Sequence, residues 1–397
     1  MYRLLILPLA LALAACTGSY EPPAPSFLAV ASGQRIDFYL STRLRPDVRD
    51  DGQSPLIGSW TSLSLPVLDL YFKLKQNDQQ NNRLWVLDRE KLTAYSTDPF
   101  FEDLVPDPTT LDPRSFPFTD GNSQPVDCSQ GYLSASPRYL LAVCPPPNSG
   151  APYSLYLVDF NLLQAGGVPQ ALIGPISVQA SQTVFTLTTG NALVILNGAS
   201  SSMEYHPDPQ MPANETGIIR GGSYIQPLYT PQELVYDGAG NRVFALLRGS
   251  TDVRLLTWNL KADTPSDVSE PDPNGRNPEQ LQISSANIYA LSSQRGLFRV
   301  QFSSGALRLL DPPGDLNLDV LSYLGSAVED GRLLYLAAED PSASAEQKPL
   351  IVVLNSQKPL ENLLSSDVKI NSNSSAPRVN PFDSRPVSLS TFPVQER

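Results

Sequence analysis

The sequence predicts an all-β protein assembled from repeated strand pairs, on three observations. Apolar residues come in short runs divided by Pro, Gly, Asn and Asp. No long stretch carries the 3.6-residue periodicity of a helix. One phrase, two apolar runs joined by a polar turn, returns along the chain; "NRVFALLRGSTDVRLLTWNL" at 241–260 is its clearest copy.

Composition allows a packed domain. With 397 residues and 41% hydrophobic content, the chain can bury a large core, and disorder is disfavoured. Its 38 prolines and 24 glycines stay below low-complexity levels and suit frequent turns.

Further copies of the phrase stand at 27–40, 83–96, 139–160, 183–197, 287–302 and 332–355. Six of the seven share a bulky position: Trp85, Leu141, Phe185, Phe244, Tyr289 and Tyr335. The intervals are 56, 44, 59, 45 and 46 residues, and the two long ones coincide with Pro-rich insertions at 98–125 and 198–231. A strand-pair repeat near 45 residues predicts the blades of a β-propeller. One hairpin cannot bury both its faces, whereas a blade stacked between two others can, and a closed ring leaves no open end. The count favours seven blades, with six or eight as alternatives and two packed sandwiches as the competing architecture. The sixth copy predicts a whole blade: "LQISS", "NIYALS", "GLFRVQF" and "LRLLD", from inner to outer strand. The first copy lacks a preceding strand. "RPVSLSTFPV" at 385–394 has the alternation to supply one and close the ring; the alternative is a disordered tail behind the linker-like 371–386. The turns "VYDGAGNRVF" and "SASPRYLLAV" resemble the repeat phrases of YVTN and TolB-type propellers. That resemblance implies the fold and transfers no functional residue.

The N-terminus gives an address. Residues 1–15 carry one Arg and an apolar run from Leu4 to Leu13, too short to span a membrane and typical of a secretory signal. The sequence Leu13-Ala14-Ala15-Cys16 resembles the lipobox of bacterial lipoproteins. The resemblance implies cleavage before Cys16 and acylation of its thiol; an ordinary signal peptide is the alternative. With Thr17 in place of Asp, the resemblance favours the outer membrane over the inner one in a host that has two. The expected organisation is a signal at 1–15, a Pro-rich tether at 16–26, a propeller at 27–360 and a C-terminal segment at 361–397. Losing Arg3 leaves a mature net charge of −13 with His neutral. Such acidity disfavours nucleic acid and anionic lipid, so acyl chains would make the membrane attachment.

Cys128 and Cys144 remain as an even pair in an oxidising compartment. A hairpin centred on Ser136 would set them directly opposite one another within disulfide range. Two free buried thiols are the alternative.

Signals for chemistry are sparse. The only histidine, His206, reads as a solvated loop residue. There is no GxSxG, GxGxxG or GxxxxGK[ST] motif, and no cofactor or metal is expected. Asp69, Asp88, Asp159, Glu329 and Asp330 lie near strand ends, where they could face a channel or serve turns. Residues 198–231 hold Met203, Tyr205, Met211, Tyr224 and Tyr229, side-chain types that suit a partner surface or a cap on the propeller. The leading expectation is a lipid-anchored envelope scaffold that binds an envelope protein or extracellular polymer. The alternative is a secreted lactonase or glycosidase-type enzyme using channel carboxylates.

Overall fold

A computed structural model describes residues 26–48, 52–61, 63–148, 150–179, 182–210, 218–220, 229–265, 267–268, 277–284, 287–294, 296–303, 306–343, 349–372 and 387–393. They form seven four-stranded antiparallel sheets arranged as a β-propeller. Blade one holds β1 (Ser26–Ser32), β2 (Arg35–Leu40) and β3 (Leu56–Trp60); blade two is β4 (Val67–Lys73), β5 (Arg83–Asp88), β6 (Lys91–Ser96) and β7 (Arg114–Pro117). Blade three is β8 (Tyr132–Ala135), β9 (Tyr139–Cys144), β10 (Tyr153–Asp159) and β11 (Ile173–Val178). Blade four is β12 (Thr183–Leu187), β13 (Leu193–Asn197), β14 (Ser202–His206) and β15 (Ile218–Arg220). Blade five is β16 (Thr230–Asp237), β17 (Arg242–Arg248), β18 (Val253–Asn259) and β19 (Asp267–Val268). Blade six is β20 (Gln280–Ile283), β21 (Ile288–Leu291), β22 (Leu297–Ser303) and β23 (Ala306–Leu310), the four strands expected there. Blade seven is β24 (Ser322–Glu329), β25 (Leu333–Glu339), β26 (Pro349–Asn355) and β27 (Val368–Ser372).

The last strand, β28 (Val387–Pro393), returns to become the inner strand of blade one, pairing with β1 from Ser26↔Pro393 to Ser32↔Val387. The tail therefore closes the ring, the first of the two outcomes the sequence left open. The boundary expected at residue 360 falls inside blade seven, because its outer strand β27 lies beyond it, as does β28 of blade one. The linker stretch between them lies outside the described residues.

Seven apolar clusters fill the seven blade junctions. Alternate residues of one strand serve opposite junctions: Tyr139, Leu141 and Val143 of β9 pack towards blade four, while Leu140, Ala142 and Cys144 pack towards blade two. A strand covered on both faces has no polar side, so second strands read as unbroken apolar runs. That is why "RVFALL" and "YLLAV" stand out in the sequence.

The fourth repeat needs correction. The hairpin at 183–197 is β12 with β13, the first and second strands of its blade, whereas the other copies are second and third strands. Phe185 thus sits on an inner strand, and the true counterpart lies on β13, which evens the spacing on either side. The supposed insertion at 198–231 contains the third and fourth strands of blade four. The insertion at 98–125 is genuine for most of its length. It leaves β6 and folds back to seat Phe100, Val105 and Leu111 against Phe27, Phe38 and Trp60 of blade one. Trp60 Nε1 donates to the Pro106 carbonyl at 3.0 Å, which fixes the excursion in place.

Candidate functional site: the central channel

The inner strands β28, β4, β8, β12, β16, β20 and β24 surround the axis in that order. Their side chains are mixed rather than apolar, as "YLSA", "TPQELVYD", "QLQI" and "VSLSTFP" show. One cavity of about 500 Å³ lies beside the connection Ser129–Gln130–Gly131, where the inner strands begin. Another of about 580 Å³ continues along β8, β12 and β16. Both touch Asp69, Tyr132, Glu233, Gln280 and Gln282.

Polar groups around this channel bind blade to blade. Leu70 of blade two donates its amide to Ser388 Oγ of blade one at 3.0 Å. Leu133 of blade three donates to Asp69 Oδ2 of blade two at 2.8 Å. Leu187 of blade four donates to Ser134 Oγ of blade three at 2.9 Å, and Leu281 of blade six to Glu233 Oε2 of blade five at 2.5 Å. Each time an inner-strand side chain receives a backbone N–H from the next blade. Asp69 Oδ1 additionally accepts from Ser388 Oγ at 2.6 Å and from the Leu70 amide at 2.8 Å. Between blades six and seven, Ser326 Oγ donates to Gln282 Oε1 at 2.9 Å and Gln280 Nε2 donates to the Leu324 carbonyl at 3.0 Å.

Two of the channel carboxylates, Asp69 and Glu233, are perturbed. Desolvation pushes the Glu233 carboxyl up to about 8, partly offset by the Leu281 hydrogen bond and reinforced by the charge of Asp69. Burial also raises Asp69, against the lowering pull of Ser388, Leu133 and Leu70. With its carboxyl pushed up to about 8, Glu233 keeps its proton at pH 7.

Of the five carboxylates singled out from sequence, only Asp69 lines this channel. Asp88 Oδ1 accepts the amides of Glu90 and Lys91 at 2.8 and 3.0 Å, holding the β5–β6 turn. Asp159 is paired with Arg138 at 2.7 Å and accepts the Asn161 amide at 2.9 Å. Glu329 takes Arg45 Nη2 at 2.5 Å, Ser26 Oγ at 2.6 Å and the Tyr335 hydroxyl at 2.5 Å, locking blade seven to blade one. Asp330 forms the β24–β25 turn at φ +50°. Glu233, Gln280 and Gln282 were missed. The available signal was their recurrence inside the short strands that precede each conspicuous hairpin.

Cys128 and Cys144 form a disulfide with Cα atoms 4.6 Å apart. The expected hairpin register does not hold, however: β8 pairs with β9 through Tyr132↔Val143 and Ala135↔Leu140, so Cys128 lies ahead of the strand rather than opposite Cys144. It sits in a turn closed by the Gly131 amide on its own carbonyl, and the bridge staples the entry to blade three onto β9.

The Met/Tyr segment also changes character. Met203 is fully buried on β14 in the junction between blades four and five, so it is core rather than surface. Tyr205 and Tyr229 are half-buried against the same cluster, and the Tyr229 hydroxyl donates to Asp252 Oδ2 at 2.6 Å. His206 is a buried strand residue, 3.3 Å from Glu204 Oε2, and not a solvated loop residue. The polar loop reading failed because these residues continue a strand that the misplaced repeat had excluded. Met211, Tyr224 and Cys16 lie outside the described residues.

No protein-family model matches the sequence, and no curated protein matches it. Solved structures do match. A periplasmic gluconolactonase from Pseudomonas aeruginosa superposes with TM-score 0.57 at 13% identity, covering 94% of this chain and 100% of its own. A candidate 6-phosphogluconolactonase from Bacteroides fragilis gives 0.55 at 11% identity, covering 94% and 99%. A functionally unknown protein from Desulfotomaculum acetoxidans gives 0.50 at 13% identity, covering 87% and 98%. At these identities the likeness is one of fold, and this chain is a seven-bladed propeller of that general kind.

Proposed function

We propose that this chain is a lipid-anchored propeller of a bacterial envelope that acts as a binding and scaffold module. One observation carries the scaffold reading: the channel carboxylates are engaged in holding blades together. Asp69 uses both oxygens on neighbouring strands, and Glu233 receives the Leu281 amide. Groups fixed in this way confer a rigid disc suited to presenting a surface to an envelope protein or extracellular polymer. The address rests on the Leu13-Ala14-Ala15-Cys16 motif. It is tested by palmitate labelling of the intact chain beside Cys16→Ala, which should lose both label and membrane attachment.

A second reading is favoured by Glu233 itself. A carboxylic acid neutral at pH 7, beside Asp69 in a polar cavity, has the form of a general acid for lactone or glycoside hydrolysis. The deciding experiment is hydrolysis of gluconolactone and aryl glycosides by the purified chain and by Glu233→Gln. The scaffold reading expects no turnover above buffer. Turnover abolished in the variant at unchanged thermal stability would overturn it in favour of the hydrolase.

A further inference from the structure

The two faces of the disc differ in what they expose. β1 runs antiparallel to β28, so Ser26 begins beside Pro393, at the end of the channel-lining strand, while the 500 Å³ cavity lies beside Val387 and Ser388, at its start. The chain therefore enters the propeller on the face opposite the cavity by Ser129–Gly131. On that entry face lie the connections from first to second strands and from third to fourth strands of each blade.

Large apolar side chains collect there. Among the described residues, Val48 is 38% exposed, Leu74 57%, Leu162 65% and Leu364 61%. Val48 follows β2 in blade one, Leu74 follows β4 in blade two, Leu162 follows β10 in blade three and Leu364 follows β26 in blade seven. Those four blades are consecutive in the ring, so the side chains form an arc. Val320, in the β23–β24 connection, stands on the opposite face; Leu104 lies in the 98–125 excursion that leaves the entry-face end of β6, and Ile370 lies on the outer strand β27.

We propose that this entry face rests on the phospholipid surface that holds the anchor, with Val48, Leu74, Leu162 and Leu364 in the interfacial layer. The inference rests on the lipid-anchor reading of Cys16 and adds an orientation to it. The occupant follows from where the chain ends. Only residues 16–25 separate the acylated thiol from Ser26. Ten residues reach at most about 33–36 Å, comparable to the thickness of a bilayer core, which keeps this face close to the membrane. The contact is apolar in kind, because a mature net charge of −13 gives no general attraction to anionic lipid. The mouth by Ser129–Gly131 then points away from the bilayer, open to a soluble or extracellular partner.

The test uses the full lipidated chain on phosphatidylcholine vesicles, carrying an environment-sensitive thiol dye at Leu74→Cys, Leu162→Cys, Leu364→Cys or Val320→Cys. Flotation and the mass of the N-terminal peptide report the anchor separately from the dye. The expected result is flotation with a blue shift at the first three positions and none at Val320. A shift at Val320 alone would invert the orientation and overturn the proposal. Flotation without any shift would overturn it too, as the disc would then stand off the membrane. A chain that neither floats nor carries acyl mass overturns the anchor reading, and this proposal with it.

Discussion

Asp69 of blade two and Leu133 of blade three are joined by a side-chain-to-backbone hydrogen bond of 2.8 Å beside the propeller axis. The N–H of a central strand has no ladder partner across a blade junction, so the neighbouring blade supplies one. Asp69→Ala leaves that amide, the Leu70 amide and Ser388 Oγ short of a partner. The expected loss is about 1–3 kcal/mol, read as a lower denaturant midpoint, since an unsatisfied buried group costs more than a made bond contributes. Asp69→Asn, which retains one acceptor oxygen, should lose less. Equal losses would show that the amides are solvated from the channel.

Glu233 predicts the pH dependence. Its folded pKa of about 8 stands above the ordinary value of 4.5, so the native state binds the proton more tightly than the unfolded chain. Stability from this group is fully present below about pH 4.5 and declines as pH rises through 8, with a slope of at most about 1.4 kcal/mol per pH unit. Asp69 is raised in the same direction and adds to the trend at lower pH. Unfolding curves of wild type and Glu233→Gln, collected between pH 5 and 9, should converge in slope only outside this window. A flat wild-type profile would place the carboxyl in freely accessible water.

The disulfide predicts a kinetic signature. Both sulfurs are buried beside Val143 and the Gly131 turn, so reductant reaches them only when the blade two–three junction opens. Reduction by dithiothreitol should be slow in native buffer and fast in urea, followed by free-thiol counting. Cys128→Ser with Cys144→Ser should cost about 2–4 kcal/mol for a loop with sequence separation of 16. Rapid native-state reduction would show that this junction breathes independently of the rest.

What could be read from sequence followed burial. β5, β9, β17, β21 and β25 are sandwiched on both faces, which forces runs such as "YLLAV" and makes the repeat visible. Inner strands face a wet channel on one edge and outer strands face solvent, so neither has a distinctive pattern. Phe185 of β12 therefore reads in sequence like a second-strand residue, and Met203 and His206 read like loop. The channel site suffered the same way. Asp69 is visible beside an apolar run, but Glu233 acquires its meaning only when Leu281, some 48 positions later, arrives beside it. The cysteine pair was legible because three cysteines leave few pairings and only Cys128 and Cys144 lie near one another, although its register was not.

The ring closure gives the last prediction. β28 contributes seven residues to blade one, and Phe392 packs with Phe27, Phe72 and Phe100 at centroid distances of 5.4–5.5 Å. Its partner β1 comes from the other end of the chain, so the contact forms only when all seven blades are stacked. Phe392→Ala removes a buried aromatic from that junction and is expected to cost about 3–5 kcal/mol. Truncation after Ser372 should do worse: it exposes the edge of β1, opens the channel wall at Ser388 and removes an acceptor from Leu70. The truncated chain should unfold over a broader denaturant range with a smaller m-value and bind a hydrophobic dye. A full-length-like, sharp transition in the truncated chain would show that six complete blades and a three-stranded remnant hold the ring unaided.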